Sequence, residues 1–249
     1  MKPVALVPVY NHAATVGAVV RSLHALALSV ILIDDGSDAE CATTLDALAA
    51  TSKAEAEIVL IRLSRNGGKG GAVIAGLREA QARGYSHALQ LDADGQHDTE
   101  ALPRFLDAMR NVPQAVIVGY PRYDESVPAG RLLGRYATHV WVWINTLSRR
   151  ILDSMCGLRI YPLDATLPVL DTMPQQSRME FDTEILVRLD WAGVPICNLP
   201  ISVRYPPDGV SHFRLWRDNA RISWMHTRLF FGMLWRSPKL LSRHFSERR

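Results

Sequence analysis

The sequence predicts an α/β fold, a mostly parallel sheet covered by helices on both faces. Three observations carry this prediction. Apolar runs such as VALVPVY (4–10) and VILIDDGS (30–37) are continuous rather than alternating, as in strands buried on both faces. Helix-forming segments separate these runs at regular intervals. The first, second and fourth runs end in polar or acidic residues, and open α/β sheets bind ligands outside the carboxyl ends of their strands.

The elements follow in order. A strand over 4–10 leads to a helix over roughly 13–28, and the strand over 30–37 to an alanine-rich helix over 39–51. EIVLIRL (57–63) is a third strand, followed by a helix over 69–83. HALQLDADG (87–95) is a fourth strand, then come a helix over 99–110 and the strand AVIVGY (115–120). The second half is less regular. Residues 130–150 are helical in pattern, CGLRIYPL (156–163) is a short strand, and a helix spans roughly 179–192. VPICNLPISVRY (194–205) is interrupted by prolines, which places it at a sheet edge.

The chain has 249 residues, 48% hydrophobic and 21% charged, enough for one sizeable core. Net charge is only +3, so the whole chain implies no nucleic-acid partner. The charge is unevenly spread: residues 204–249 hold ten Lys or Arg against three Asp or Glu. Such a basic tail suits an anionic surface. Cys41, Cys156 and Cys197 are scattered and form no C-x-x-C pair, so no disulfide framework or zinc site is expected. The first apolar run is short and broken by Pro8 and Asn11, which reads as a strand and not a signal peptide. No uninterrupted apolar window of about 20 residues predicts a spanning helix.

Two glycine-rich signatures fail at NGGKGGA (66–72). A dinucleotide fingerprint requires glycine where Val73 stands, and a phosphate-binding P-loop requires Ser or Thr where Gly70 stands. The segment could still bring backbone N–H groups and Lys69 to an anion, or serve as a turn that packs a helix closely on the sheet. The acidic stretch LQLDADGQHD (89–98) is more specific. Asp92 and Asp94 lie two residues apart, where an extended chain points both side chains the same way, with Gln96 at the same spacing. Oxygen donors of this kind suit Mg²⁺ or Mn²⁺, which also take ligands from a bound diphosphate.

PVYNH (8–12), IDDGSDA (33–39), RNGGKGGAVIAGL (65–77) and LQLDADGQHD (89–98) occur in that order. Together they resemble the successive motifs of family 2 glycosyltransferases with the Rossmann-like GT-A fold. The polyprenyl-phosphate branch, similar to dolichol-phosphate mannose synthases, looks nearest, because Asp92-Ala93-Asp94-Gly95-Gln96-His97 matches its Asp-Ala-Asp-x-Gln-His stretch. The resemblance covers 1–125 strongly and 126–215 loosely. It implies an inverting, metal-dependent transfer from a nucleoside-diphosphate sugar. Pro8, Tyr10, Asn11, His12, Asp34, Asp35, Lys69, Asp92 and Ala93 would bind the donor nucleotide, and Asp92, Asp94 and Gln96 would hold the metal. His12 departs from the Glu often found there, and it offers one donor and one acceptor in place of a carboxylate, leaving the donor nucleotide open. Arg204, Ser211 and His212 in VRYPPDGVSHF match a loop that closes over the diphosphate, with His212 where a Lys is usual. A plain proline-rich surface loop is the alternative.

On the acceptor side, Arg122 in GYPRYDES matches the branch's phosphate-contacting Arg, with Arg131 and Arg135 behind it. A phosphate acceptor is already ionised, whereas a hydroxyl acceptor calls for a carboxylate to take its proton. Asp182 in RMEFDTEIL sits closest to the family's base motif. In the tail, a helical projection puts Arg214, Arg217, Asp218, Arg221, Arg228, Arg236 and Lys239 on one stripe, with Trp216, Trp224, Trp235 and the aliphatic residues elsewhere. That pattern predicts either a helix lying on an anionic membrane surface through 214–239 or a helix docked on the domain, with Pro238 ending its regular part. The expected organisation is a catalytic domain over 1–213 and a basic helical tail over 214–249. Residues 1–125 of the domain form a nucleotide-sugar half and 126–213 an acceptor half. The expected setting is peripheral, on the cytoplasmic membrane face, with a lipid-linked acceptor. A non-catalytic sugar-nucleotide or membrane-binding relative, and an enzyme acting on a soluble hydroxyl, are the other readings.

Overall fold

The computed structural model describes all residues except Glu55, 97–98, 123–128, 175–177, 203–214 and 247–249, and, within helices, the side chains of 129–133, 215 and 244–246. A seven-stranded sheet runs in the order β3-β2-β1-β4-β6-β5-β7. Its strands are β1 (Pro3–Val9), β2 (Val30–Asp34), β3 (Ile58–Arg62), β4 (His87–Gln90), β5 (Val116–Arg122), β6 (Arg159–Pro162) and β7 (Ile196–Ser202). The pairs among β1 to β4 are parallel, as is β5 with β7. Only β6 runs antiparallel, between β4 and β5. The proline-interrupted β7 lies at an edge, where its missing N–H donors break no central ladder.

Helices cover both faces. On one side α1 (Ala13–His24), α2 (Ala39–Ala50) and α4 (Leu102–Asn111) pack Val16, Leu23, Leu45 and Phe105 against the sheet. On the other, α3 (Lys69–Ala82), α6 (Leu163–Leu170) and α7 (Phe181–Ala192) do the same, joined by α5 (Ala129–Thr146) and α8 (Leu215–Ser246). Gly76 explains how close α3 comes: a Cβ there would stand 2.8 Å from Ile33 Cδ1.

Three expectations are corrected. The helix α6 was not foreseen, because Pro162 and Pro168 punctuate its sequence; Pro162 precedes the first turn and Pro168 sits inside the helix. The fourth strand ends at Gln90, so Asp92 and Asp94 lie beyond it, and a turn with Gly95 at φ 71° replaces the extended segment that would align them. Pro238 does not end the tail helix, which continues to Ser246.

The tail helix is docked along one side. Met225, Leu229, Met233 and Leu240 are buried at helical spacing in the core shared with α5 and α7. Buried Glu184 of α7 binds Arg228 of α8 at 3.1 Å and its own helix neighbour Arg188 at 2.8 Å. Arg243 donates to the carbonyls of Asp190 and Trp191, satisfying the end of α7. Part of the arginine stripe therefore serves the domain.

After α5 the chain folds back through a loop anchored by Asp153. Its carboxylate accepts from the amides of Met155 and Cys156 at 2.8 Å and pairs with Arg135 at 2.6 Å. Burial alone would raise its pKa, but His139, Arg135 and the amides overcome this and lower it to about 2. A depressed carboxylate contributes stability that is present above its ordinary pKa and lost as pH falls through the folded value. The Asp153 contribution, about 2 kcal/mol by linkage, should disappear between about pH 4 and pH 2. Asp153→Asn should flatten the stability curve in that window, as measured by urea unfolding against pH. Leu229→Ala should cost about 2–3 kcal/mol in the same assay, since it empties a fully packed position between α8 and the domain.

Candidate active site

The polar residues singled out by sequence gather at the carboxyl ends of β1 to β4. Tyr10, Asn11 and His12 form the β1–α1 turn, with Asn11 at φ 58°, a left-handed conformation that asparagine tolerates. Asn11 does internal work: its Oδ1 accepts from the Asp38 amide at 2.8 Å, and its own amide donates to Ser37 Oγ. Pro8 is within β1. Thr15 of α1 donates to the carbonyl of Ala93, which ties the acidic turn to the first helix.

Asp34 and Asp35 are buried at the end of β2. Asp34 accepts from the Ser37 amide at 2.9 Å and from Arg62 Nε at 3.2 Å. Asp35 accepts from the amides of Gly67 at 2.6 Å and Gly68 at 2.9 Å. Burial raises the Asp35 carboxyl above its usual range even against those two amides and the nearby Arg178. The Gly70 amide is taken by the carbonyl of Arg178, whose guanidinium clasps Asn66 at 2.9 Å. Three amides of the glycine loop are thus committed within the fold. Gly68 is required here twice over, by φ 82° and by contact of any Cβ with the Arg178 side chain.

Lys69 stands at the centre. Its Nζ lies 2.8 Å from both Asp92 Oδ1 and Asp182 Oδ2. Burial alone would lower its pKa, but the two carboxylates outweigh this and hold the ammonium protonated. Asp182, at the start of α7, also accepts from Gln90 Nε2 at 3.2 Å and faces Arg159 at 3.6 Å. Arg159 is fully buried and donates to the carbonyls of Ser154, Cys156 and Asp182. Tyr161 completes the chain, accepting from Arg159 and donating to Gln90 Oε1, both at 3.2 Å. Burial pushes the Tyr161 phenol up to about 12, so it keeps the proton it donates. Asp92 is seated against Gly157, where any Cβ would collide with the carboxylate.

Asp94 lies in the turn past Asp92 and accepts from the Gln96 amide at 3.0 Å. Among the described residues no cluster of three His, Cys, Asp or Glu stands ready to hold a metal. The donor set of two carboxylates and a Gln amide still fits Mg²⁺ or Mn²⁺, which bind through one or two carboxylates and complete their shell with phosphate oxygens and water. Asp92 is already engaged by Lys69.

The acceptor-side residues occupy two separate hollows. Arg122 at the end of β5 lines one of about 310 Å³ with Arg104, Glu100 and Ser202. Arg135 lines another of about 200 Å³ with Tyr136, His139, Trp143, Leu152 and Asp153. Arg204, Ser211 and His212 lie outside the described residues, as does the side chain of Arg131. Sequence reasoning missed Arg159, Arg178 and Gly157. A lone arginine inside the apolar run CGLRIYPL was a signal for the first, since a buried cation needs a built partner set. Nothing comparable marks Arg178.

Comparison with known proteins agrees with this fold. The family described as Glycosyl transferase family 2 matches residues 4–162. The undecaprenyl-phosphate mannosyltransferase of Micrococcus luteus is 28% identical over 212 residues, 81% of this chain and 83% of that protein. The polyprenol monophosphomannose synthase of Mycolicibacterium smegmatis is also 28% identical, over 83% of this chain and 78% of its own. Among solved structures, Staphylococcus aureus TarS 1–349 in complex with UDP superposes with a TM-score of 0.64 at 17% identity, covering 99% of this chain and 72% of that one. Glucosyl-3-phosphoglycerate synthase from Mycobacterium tuberculosis, in complex with Mn²⁺ and UDP-glucose, gives 0.59 at 16% identity, over 94% and 78%. With the GT-A fold and the strand-end site already in place, the match over 4–162 settles the ancestry: the chain belongs to glycosyl transferase family 2 and is a glycosyltransferase.

Proposed function

We propose that the protein is an inverting, metal-dependent transferase that moves a sugar from a nucleoside-diphosphate sugar to a lipid-linked, polyprenyl-phosphate-type acceptor at the cytoplasmic membrane face. The observation that carries this reading is the Lys69–Asp92–Asp182 cluster at the mouth of the parallel strands, beside Asp94. It is supported by relatives whose names specify polyprenyl, undecaprenyl or dolichyl phosphate.

Pro8, Tyr10, Asn11, His12, Asp34 and Asp35 shape the nucleotide side of the site, where Asp34 and Asp35 also hold the loops in register. Asp94 and Gln96, with Asp92 behind them, would hold Mg²⁺ or Mn²⁺. A bound divalent ion would neutralise the leaving diphosphate as charge develops on it. Arg204 and His212 would add positive charge to the same leaving group. Arg122 and Arg131, or Arg135 in its separate hollow, would bind the acceptor phosphate.

The surroundings of Asp182 favour a phosphate acceptor over a hydroxyl. Lys69, Arg159 and Gln90 all face its oxygens, so it fixes Lys69 and is poorly placed to take a proton. An ionised phosphate needs no base.

Two experiments test the reading. With wild-type protein, one nucleoside diphosphate with Mn²⁺ should raise the melting temperature, and EDTA should remove the rise. Asp94→Ala should keep its own melting temperature but lose that response. An unchanged metal-dependent response would sink the metal assignment. Lys69→Met should cost about 3–5 kcal/mol in urea unfolding, because it leaves Asp92 and Asp182 facing each other without the cation between them. A variant as stable as wild type would show that the cluster is not held by charge.

A further inference from the structure

Fourteen large hydrophobic side chains are exposed among the described residues, and twelve belong to α5, the loop after it and α8. On α8 they occupy the side roughly opposite the docked stripe: Trp224 is 63% exposed, Phe231 65% and Trp235 86%, with Leu234 beside them. The tail is therefore apolar on two sides, and only one is covered. On α5 the exposed residues Tyr136, Val140, Trp141 and Ile144 follow helical spacing. The two stripes are joined through rings: Trp141 meets Phe230 at 6.4 Å, and Phe230 meets Phe231 at 5.9 Å. An exposed aromatic surface spread over two packed helices is far from the scatter of single apolar residues found on ordinary surfaces.

Charge indicates what covers it. Residues 129–158 and 215–246 contain ten Lys or Arg and two carboxylates, Asp153 and Asp218. Both carboxylates are buried. Arg149, Arg217 and Lys239 are exposed around the aromatic stripe. A second copy of this chain would bring one cationic face against another. A lipid surface with anionic headgroups matches both the cations and the tryptophans, which favour the headgroup level. No helix of the described residues is long and apolar enough to cross a membrane, so contact would be along the surface.

We propose that α5, the following loop and α8 form one composite face that docks side-on onto an anionic bilayer, with the Arg135–His139 hollow opening at its edge. Tyr136 and Leu152 belong to both the face and the hollow, so an acceptor headgroup held in the bilayer would reach Arg135 without leaving it. The proposal rests on the lipid-linked acceptor of the proposed function, and it differs from a tail acting alone by requiring α5.

The test uses the full chain and co-sedimentation with vesicles. Wild-type protein should bind vesicles of phosphatidylcholine mixed with phosphatidylglycerol, with a blue shift of tryptophan emission, and bind pure phosphatidylcholine at least about tenfold more weakly. Trp224→Ser combined with Trp235→Ser should lose binding about tenfold or more, and Val140→Asp combined with Ile144→Asp on α5 should do likewise. Both variants should melt as wild type, since they alter exposed positions. Equal binding by wild type and the α5 variant would overturn the composite face. A wild-type dimer in light scattering that the tryptophan variant converts to monomer would overturn it too, assigning the face to a second copy. Turnover on a short, water-soluble prenyl phosphate separates the two ideas. Normal vesicle binding without that turnover leaves the docking face standing and removes the acceptor assignment.

Discussion

A buried cation placed among carboxylates holds this site together. Arg159 on β6, Gln90 on β4, Asp182 on α7 and Lys69 on α3 come from four elements far apart in sequence, and each supplies what another lacks. Removing a charge from water is expensive, and the cost is met only when the partners are close and their remaining polar atoms are satisfied. Arg159 satisfies that condition through three carbonyls and a phenol. Because the guanidinium cannot discharge, it fixes Asp182, and Asp182 in turn fixes Lys69 against Asp92. The antiparallel β6, inserted into a parallel sheet, is what carries Arg159 into this position.

This constraint explains why the acidic residues at the strand ends do not repel one another apart. Asp34 is met by Arg62, Asp35 by two glycine amides, and Asp92 by Lys69. Each is oriented before any ligand arrives, so little reorganisation would be needed as charge develops on a leaving group. Asp94, two residues on, accepts from the Gln96 amide.

Most of the fold was legible because the physics is local. Continuous apolar runs separated by helical segments announce a parallel sheet, and the edge position of β7 follows from its prolines. The helix α6 was hidden because proline punctuation argues against a helix when only neighbours are considered, whereas tertiary packing of Leu163, Leu167 and Leu170 stabilises one. The same limit applies to the site. The motifs located Asp34, Asp35, Asp92 and Asp94, yet Arg178, which stands near Asp35 and clasps Asn66, and Asp182, which shares Lys69 with Asp92, come from more than 60 residues away, and nothing in a local pattern pairs them. The expected alignment of Asp92 with Asp94 assumed that β4 continued; it ends at Gln90, and a turn at Gly95 follows.

The tail shows how one helical pattern can serve two surfaces. Read as a wheel, its arginines and aromatics suggested a single choice between domain and membrane. In the fold, Arg228, Arg236 and Arg243 turn to Glu184, Trp191 and the end of α7, while the tryptophans stay outside. Docking the helix by its methionines and leucines orients the opposite stripe, and α5 extends that stripe toward the hollow containing Arg135. A tail free of the domain could bind lipid by its own apolar face and would place the site at no defined height. Pinned by Glu184 and a packed core, it presents the aromatic face and the hollow in one fixed relation. That relation, and not the hydrophobicity of the tail by itself, is what would let a domain whose described helices do not span a bilayer work on an acceptor embedded in one.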